Sequence, residues 1–192
     1  MKLFFLRHTS LDVESDTFYG QTDLDVSKTF ESELILIKKK IDLLGIELET
    51  IKFYSSPLKR CLKLAKSLSQ NVSLDPRLKE INLGDWEMKR FSEISIREKT
   101  LWEENLLAYK IPNGETNNDF LHRLSSFTND IISENLDVFV VAHAGSINGM
   151  ISNLTKRPFD KQVKKFWEKI SYGSISMIER INNKNYLRYI GK

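Results

Sequence analysis

Cysteine is nearly absent from this sequence. Cys61 is the only cysteine among 192 residues, so the chain cannot form an intramolecular disulfide, and we expect a reducing compartment. The apolar run at the amino end, Leu3–Leu6, is only four residues long, which is too short for a signal-peptide core or a membrane span. We therefore expect a cytoplasmic protein. No low-complexity segment, internal repeat or linker interrupts the chain.

The chain also has little net charge. Its 29 lysine and arginine residues and 26 acidic residues give a formal charge of +3, and the basic residues are spread along the sequence. Neither nucleic acid nor an anionic membrane is therefore expected as a partner. A hydrophobic fraction of 41% is typical of a globular protein, and the length predicts one domain, residues 1–192.

Apolar segments of strand length recur along the chain, and helical periodicity lies between them. This alternation predicts an α/β fold, a three-layer α/β/α sandwich with a central, mostly parallel sheet. Asn182–Asn185 separates the last two strands and predicts a hairpin loop. The predicted strands are Lys2–Leu6, Ile51–Tyr54, Val72–Leu74, Asp137–Ala142, Ser174–Arg180 and Tyr186–Ile190, and the predicted helices span about 30–44, 58–68 and 116–133.

The second predicted helix has a recognisable start and an apolar face. Pro57 follows two serines and suits the first turn, with a serine as N-cap. Cys61 lies among apolar residues at helical spacing, so we expect it to pack in the core rather than to act as a nucleophile.

Residues 86–112 differ from the rest of the chain because they combine aromatic residues with many charges. They include Trp86, Phe91, Trp102 and Tyr109. One interpretation is an inserted helical cap that offers aromatic surface to a substrate. The other is that these aromatic side chains pack onto the edge of the sheet, and amphipathic helices look alike in both roles.

Two of the three histidines follow apolar strands. The run Leu3–Leu6 leads into Arg7 and His8, and the run Val138–Ala142 leads into His143. Because ligands of open α/β sheets bind outside the carboxyl ends of the strands, these segments predict one shared pocket. Imidazole is well suited to transfer chemistry near neutral pH, so this pocket is a candidate active site.

Further charged residues follow the other predicted strands. Arg60 lies in the first turn of a helix, whose amino end favours anions, and Glu80 follows the third strand. If these residues converge, the pocket holds two guanidinium groups, two imidazoles and a carboxylate. Such a pocket can bind a tetrahedral dianion and can supply a proton donor. The alternatives are that Arg60 is an ordinary exposed residue and that Asp85 or Glu87 is the acid. The third histidine, His122, lies within a helix and is expected on the surface.

Five blocks of sequence resemble the histidine phosphatase superfamily, which includes the cofactor-dependent phosphoglycerate mutases. Arg-His alone is a weak signal, whereas five blocks in the family's order over nearly the whole chain are a strong one. The resemblance implies a phosphoglycerate mutase-like fold and a single histidine phosphatase domain, with a helical cap insertion at about 86–112. The blocks are Leu6–Thr9, Ser56–Arg60, Leu78–Glu80 with Gly84–Glu87, Gly114–Thr116 and Val141–Gly145.

The resemblance also implies a role for each candidate residue. His8 would attack phosphorus to form a phosphohistidine, and Glu80 would protonate the leaving alkoxide and then help to activate water. Arg7, Arg60 and His143 would hold the phosphoryl oxygens. No metal or other cofactor is expected, and the three histidines lack the close spacing of metal ligands.

The chain departs from the superfamily pattern in two ways. Thr9 and Ala144 stand where glycine is usual, and Leu11 and Glu14 replace a hydroxyl residue and an asparagine of the phosphate pocket. We expect substrate contacts from other residues instead: Ser10, Gln21, Thr22 and Gly145.

Within the superfamily, the segments Arg7–Val13, Tyr19–Asp23 and Gly84–Met88 are most similar to α-ribazole phosphatases, which act late in cobalamin assembly. The resemblance thus implies a phosphomonoesterase acting on α-ribazole 5′-phosphate. Three alternatives stay open: a broad-specificity sugar or nucleotide phosphatase, a phosphoglycerate mutase, and a non-enzymatic module that binds a phospholigand. The expected partner is a small phosphomonoester, and a homodimer stays open.

Overall fold

A six-stranded mixed sheet forms the centre of the protein. The computed structural model describes residues 1–192. The strand order is β3-β2-β4-β1-β5-β6, with three parallel pairings and two antiparallel pairings at the β5–β6 edge, which confirms the predicted fold class. The strands are β1 (Lys2–Arg7), β2 (Lys52–Ser55), β3 (Val72–Leu74), β4 (Val138–Ala142), β5 (Ile175–Ile181) and β6 (Lys184–Tyr189).

Helices cover both faces of the sheet. One hydrophobic core lies beneath α1 and α2, and a larger one lies beneath α4, α5 and α6. These layers bury the two sides of every central strand, so the sheet is hydrophobic on both faces. The helices are α1 (Phe30–Leu43), α2 (Lys59–Leu68), α3 (Ile96–Glu104), α4 (Asn117–Glu134), α5 (Ala144–Thr155) and α6 (Phe159–Phe166).

Strand β1 contributes side chains to the hydrophobic cores on both faces of the sheet. Leu3 and Phe5 point into the larger core, and Phe4 and Leu6 point into the other, because successive side chains of a strand alternate between faces. All four are at most 5% exposed. Burial on both faces fixes the register of β1, and the register determines where the strand ends.

The start of α2 differs from the prediction. The helix begins at Lys59, its N-cap is Leu58, and no side chain of the N-cap residue accepts a hydrogen bond. Instead, Asp23 from a distant loop accepts a hydrogen bond from the Lys59 backbone nitrogen at 2.7 Å. The predictions of a serine N-cap and of Pro57 in the first turn are therefore wrong. Pro57 precedes the N-cap residue, and the capping oxygen comes from a residue 36 positions away in sequence.

The closing hairpin is tighter than predicted. Its turn consists of Asn182 and Asn183 alone, both with positive φ, and Lys184 and Asn185 already pair in β6. Two consecutive residues with positive φ are typical of a two-residue hairpin turn, and asparagine tolerates this conformation.

Helix α5 has no counterpart among the predicted helices. Ten of its 12 residues are buried, so its sequence lacks the polar face that marks an amphipathic helix. It begins at Ala144, directly after His143, and its amino end therefore lies at the candidate pocket.

Residues 86–112 contain α3 and a short 3₁₀ turn at Phe91–Glu93, and the aromatic side chains contact one another. The Trp86 ring centroid is 6.1 Å from that of Trp102 and 6.0 Å from that of Tyr109, and Trp86 is only 2% exposed. This third small core is separate from the two cores on the sheet. Trp86 therefore offers no exposed aromatic surface to a substrate. No helix of the protein combines the length and apolar character needed to cross a bilayer.

Candidate active site

The two strand-end histidines lie side by side. Arg7 of β1 pairs with Ala142 of β4 in the parallel register, so His8 and His143 follow adjacent positions of neighbouring strands. Their ring centroids are 5.2 Å apart, and each residue is 1% exposed. The two strand ends therefore bring these two histidines together, as predicted.

The surroundings of His8 determine which of its nitrogens is free. Nδ1 lies 2.7 Å from the Thr9 carbonyl oxygen, which can only accept, so Nδ1 carries the proton and donates it. Nε2 then holds the lone pair. Burial and the positive charges of Arg60 and Arg7 hold the pKa of His8 well below its ordinary value, so the imidazole stays neutral.

Arg7 presents its guanidinium beside the histidine pair. Its Nη1 donates to the Ile170 carbonyl oxygen at 2.8 Å, while its buried Nε has no hydrogen-bond partner. The ring of Tyr172 covers the guanidinium, with its centroid 4.0 Å from the Arg7 Cζ and 5.6 Å from the His8 ring centroid. Arg7 therefore retains donor capacity next to His8.

Arg60 is fully buried, which excludes the alternative of an ordinary exposed residue. Its Nε donates to His143 Nδ1 at 3.2 Å, and its Nη1 and Nη2 donate to the carbonyl oxygens of Thr22 and Gly20 at 2.8 and 2.6 Å. A guanidinium has five N–H donors, so two N–H groups remain for an anion.

His143 is held between Arg60 and Ser56. Because Arg60 donates to Nδ1, the proton of the ring lies on Nε2, which is 2.8 Å from the Ser56 hydroxyl oxygen. Burial and the charge of Arg60 lower the pKa of His143 well below its ordinary value. His143 is thus a neutral ring whose Nε2–H can donate.

Glu80 is held by backbone donors. Its carboxylate accepts from the backbone nitrogen of Ile81 at 2.9 Å and from that of Gly145, in the first turn of α5, at 2.8 Å. Burial raises the pKa of Glu80 above its ordinary value, although these hydrogen bonds and the charge of Arg60 oppose the shift. A carboxyl that keeps its proton at higher pH is suited to act as a general acid.

Gly145 contacts Glu80 rather than an open part of the pocket. A Cβ atom at position 145 would lie 2.3 Å from Glu80 Oε1, closer than any Cβ tolerates. The absence of a side chain allows the carboxylate to reach the amino end of α5, where a helix favours negative charge.

The other predicted substrate contacts are engaged within the protein. The Ser10 hydroxyl is hydrogen-bonded to Ser27, Thr29 and Glu33. The Gln21 side-chain amide donates to the Glu80 carbonyl oxygen at 3.1 Å, and the Thr22 hydroxyl donates to Glu87 at 2.6 Å. In this structure these side chains organise the loops around the site.

The rival acids have other partners. Asp85 accepts from the Asn113 side chain at 2.9 Å, and Glu87 accepts five hydrogen bonds from neighbouring segments. Partial burial opposes the shift, but hydrogen bonds from Thr22, Gly20 and Gln21 hold the pKa of Glu87 below its ordinary value. Of the three carboxyl groups, Glu80 has the environment of a proton donor.

Two contributors to the site were not predicted from the sequence. Arg123 donates to the carbonyl oxygens of Arg77, Lys79 and Glu80 at 2.6–2.8 Å and pairs with Glu115. In the sequence Arg123 follows His122, which is exposed, within an amphipathic helix. Nothing in this position indicates that Arg123 binds the backbone next to Glu80. Tyr172 follows α6 and covers Arg7, and only the three-dimensional fold brings it there.

The arrangement combines two guanidinium groups, a neutral imidazole with a free lone pair and a carboxyl whose pKa is raised by burial. Such a set can bind a phosphoryl group, attack it and protonate a leaving group. Nowhere do three or more histidine, cysteine or acidic side chains form a group that could hold a metal ion.

The chain is similar in sequence and in fold to known proteins. A provisionally named phosphoserine phosphatase 2 from Hydrogenobacter thermophilus is 27% identical, and the match covers 80% of this chain and 78% of that protein. Glucosyl-3-phosphoglycerate phosphatase of Mycolicibacterium vanbaalenii is 24% identical, with coverage of 83% and 76%. The structure of the α-ribazole phosphatase from Shigella flexneri superposes with a TM-score of 0.83 at 20% identity, covering 100% of this chain and 96% of that chain.

The family model for the histidine phosphatase superfamily (branch 1) matches residues 3–191. That match includes the strand ends that carry His8 and His143 as well as the segments with Arg60 and Glu80. The chain therefore belongs to branch 1 of the histidine phosphatase superfamily.

Proposed function

We propose that the protein hydrolyses a phosphomonoester without a metal ion, through a phosphohistidine on His8. The observation that carries this proposal is the state of His8: a neutral imidazole, with Nδ1 committed to the Thr9 carbonyl oxygen and the Nε2 lone pair free, beside the guanidinium groups of Arg7 and Arg60. A phosphate dianion repels a nucleophile unless its charge is offset, and two arginines offset it.

The first half-reaction transfers the phosphoryl group to the protein. The Nε2 lone pair of His8 forms a bond to phosphorus as the ester P–O bond breaks. The departing oxygen takes the proton of Glu80, so an alcohol leaves and Glu80 becomes a carboxylate. The N–H groups of Arg7 and Arg60 bind the equatorial oxygens as charge develops on them, and Nε2–H of His143 joins them by exchanging the Ser56 hydroxyl for a phosphoryl oxygen.

The second half-reaction restores the enzyme. The Glu80 carboxylate accepts a proton from water as the water oxygen bonds to phosphorus. The N–P bond to His8 breaks, and inorganic phosphate leaves. Glu80 thus changes from acid to base within one turnover, which is usual for a group on the path of both steps.

We propose α-ribazole 5′-phosphate as the substrate. The support is the similarity of the segments Tyr19–Asp23 and Gly84–Met88 to α-ribazole phosphatases. In the structure these segments are joined, because Glu87 accepts hydrogen bonds from residues 20–22. They form one wall beside Arg60, and we expect this wall to contact the alcohol part of the substrate.

A substrate panel tests this assignment. The value of kcat/KM is measured for α-ribazole 5′-phosphate, phosphoserine, glucosyl-3-phosphoglycerate and common sugar phosphates, with the His8→Ala variant as control for contaminating activity. We expect α-ribazole 5′-phosphate to exceed every other substrate by at least about tenfold, the discrimination that roughly 1.4 kcal/mol of differential binding supplies. Equal turnover of sugar phosphates would remove this substrate and leave the chemistry in place.

A further inference from the structure

Glu87 has an unusually complete set of donors for a carboxylate outside the proposed reaction. Its two oxygens accept from the backbone nitrogens of Gly20, Gln21 and Thr22 at 2.9, 2.8 and 3.2 Å. They also accept from the Thr22 hydroxyl at 2.6 Å and from the Leu83 backbone nitrogen at 3.1 Å. Four of these five donors belong to residues 20–22, which we call the arginine-binding loop.

The opposite side of the same loop contacts Arg60. The carbonyl oxygens of Gly20 and Thr22 accept from Arg60 Nη2 and Nη1 at 2.6 and 2.8 Å. The three N–H groups of the loop thus point at Glu87, while the carbonyl groups of its first and last residues point at Arg60. A loop three residues long, with donors fixed on one side, has little freedom to turn its acceptors away on the other.

The loop is also closely packed at Gly20. A Cβ atom at this position would lie 1.9 Å from the Ile81 carbonyl oxygen and 2.8 Å from Glu87 Oε1. The loop is therefore held between Glu87, the segment after Glu80 and Arg60.

We infer that Glu87 is the positioning residue for Arg60, and that it acts through the arginine-binding loop to aim the guanidinium at the phosphoryl group. This inference rests on the proposed function, because it assigns Glu87 a part in the binding of the same phosphoryl group. Glu87 itself touches no reacting atom. Its charge is required, since a carboxylate accepts all five hydrogen bonds, whereas the amide of glutamine has one acceptor oxygen and two N–H groups that face donors.

The test compares Glu87→Gln in two backgrounds, wild type and Arg60→Ala, with p-nitrophenyl phosphate turnover and inorganic phosphate binding as readouts. In the wild-type background we expect Glu87→Gln to lower kcat/KM by about a hundredfold and to weaken phosphate binding, since small misplacements of a positioning group have effects of this size. In the Arg60→Ala background we expect a further change of less than about twofold.

A purely structural role for Glu87 predicts a different result. Equal losses from Glu87→Gln in both backgrounds would overturn the inference.

Asp85→Asn is the matched control, because Asp85 lies two residues away and its side chain contacts Asn113. The kcat/KM and phosphate binding of this variant should match wild type. If Glu87→Gln fails to fold, Thr22→Val replaces it as the test variant, since this substitution removes one of the five donors to Glu87 with little change in shape. It should lower kcat/KM only when Arg60 is present, and a loss that does not depend on Arg60 would overturn the inference.

The same data separate this inference from the proposed function. A wild-type protein without turnover, or with turnover that survives His8→Ala, contradicts the function. A wild-type protein whose turnover needs His8, but whose Glu87 and Arg60 effects simply multiply, contradicts only the role of Glu87.

Discussion

The hydroxyl of Tyr19 is hydrogen-bonded to the hydroxyl of Tyr172 across the top of the site. The Tyr172 ring covers Arg7, and the Tyr19 ring centroid lies 5.5 Å from the Arg60 Cζ. His8 beneath them is 1% exposed, whereas Tyr172 is 37% exposed. Burial raises the pKa of Tyr19 above its ordinary value, so this phenol remains protonated at neutral pH. The two tyrosines therefore lie over His8 and the two arginines.

We expect a phosphomonoester to separate this tyrosine pair as it approaches His8. Tyr19→Phe and Tyr172→Phe each remove the hydrogen bond and keep the ring. A net hydrogen bond contributes about 1 kcal/mol, so we expect each variant to bind inorganic phosphate roughly fivefold more tightly. The double variant should show no further gain, because both substitutions break one bond. Tyr186→Phe, on exposed β6, is the control, and weaker binding in the two single variants would contradict this view.

The acid role of Glu80 predicts a dependence on the leaving group. Glu80→Gln should lower kcat by about a hundredfold or more for an alkyl phosphate, which needs a proton, and much less for p-nitrophenyl phosphate. Equal losses on the two substrates would contradict the role.

The same residue predicts the alkaline side of the pH profile. Because burial raises the pKa of Glu80, the acid form persists above the ordinary carboxyl range and is lost as the pH rises through the raised value. The activity of the wild-type protein on an alkyl phosphate should therefore fall on the alkaline side. That fall should be absent from the residual activity of Glu80→Gln.

Gly145 gives a second way to displace the same carboxyl group. In Gly145→Ala the new Cβ would collide with Glu80 Oε1, so we expect a loss of about a hundredfold in kcat on an alkyl phosphate. The thermal midpoint should change little, because alanine is the better helix former in α5 and offsets part of the strain. Wild-type kcat in this variant would show that the contact does not hold Glu80.

Arg123 predicts a stability effect coupled to catalysis. Its side chain and that of Glu115 are 19% and 17% exposed, and the guanidinium also binds three backbone carbonyl groups before and at Glu80. Arg123→Met removes the cation beside the partly buried Glu115 and one donor from each of the three carbonyl groups, so we expect destabilisation by about 3 kcal/mol in urea unfolding, with a loss of kcat. Glu115→Gln should cost less, since Arg123 keeps its carbonyl partners. The opposite order would contradict this account.

Much of the fold could be predicted because its signals are local. The four apolar residues of β1 and the run of β4 determine where Arg7, His8 and His143 emerge, and the register confirms that the two strands are neighbours. Helix α5 was not predicted because it is buried on nearly every side. The residue that caps α2 was not predicted because Asp23 is distant from the helix in sequence.

The predicted substrate contacts show a different limit. Hydroxyl and amide side chains at Ser10, Gln21 and Thr22 are the right chemical type, but their nearest partners in space are Glu33, Glu80 and Glu87. Sequence patterns indicate which residues can donate a hydrogen bond and contain no information about which acceptor lies closest. Tyr172 and Arg123 were missed for the same reason.

The phosphohistidine on His8 is the central claim, and rapid-quench trapping tests it most directly. Wild-type protein mixed with labelled substrate and quenched within one turnover should carry acid-labile, base-stable phosphate, and His8→Ala should carry none and hydrolyse nothing. Labelled phosphate that is stable to acid, or turnover that persists in His8→Ala, would contradict the account.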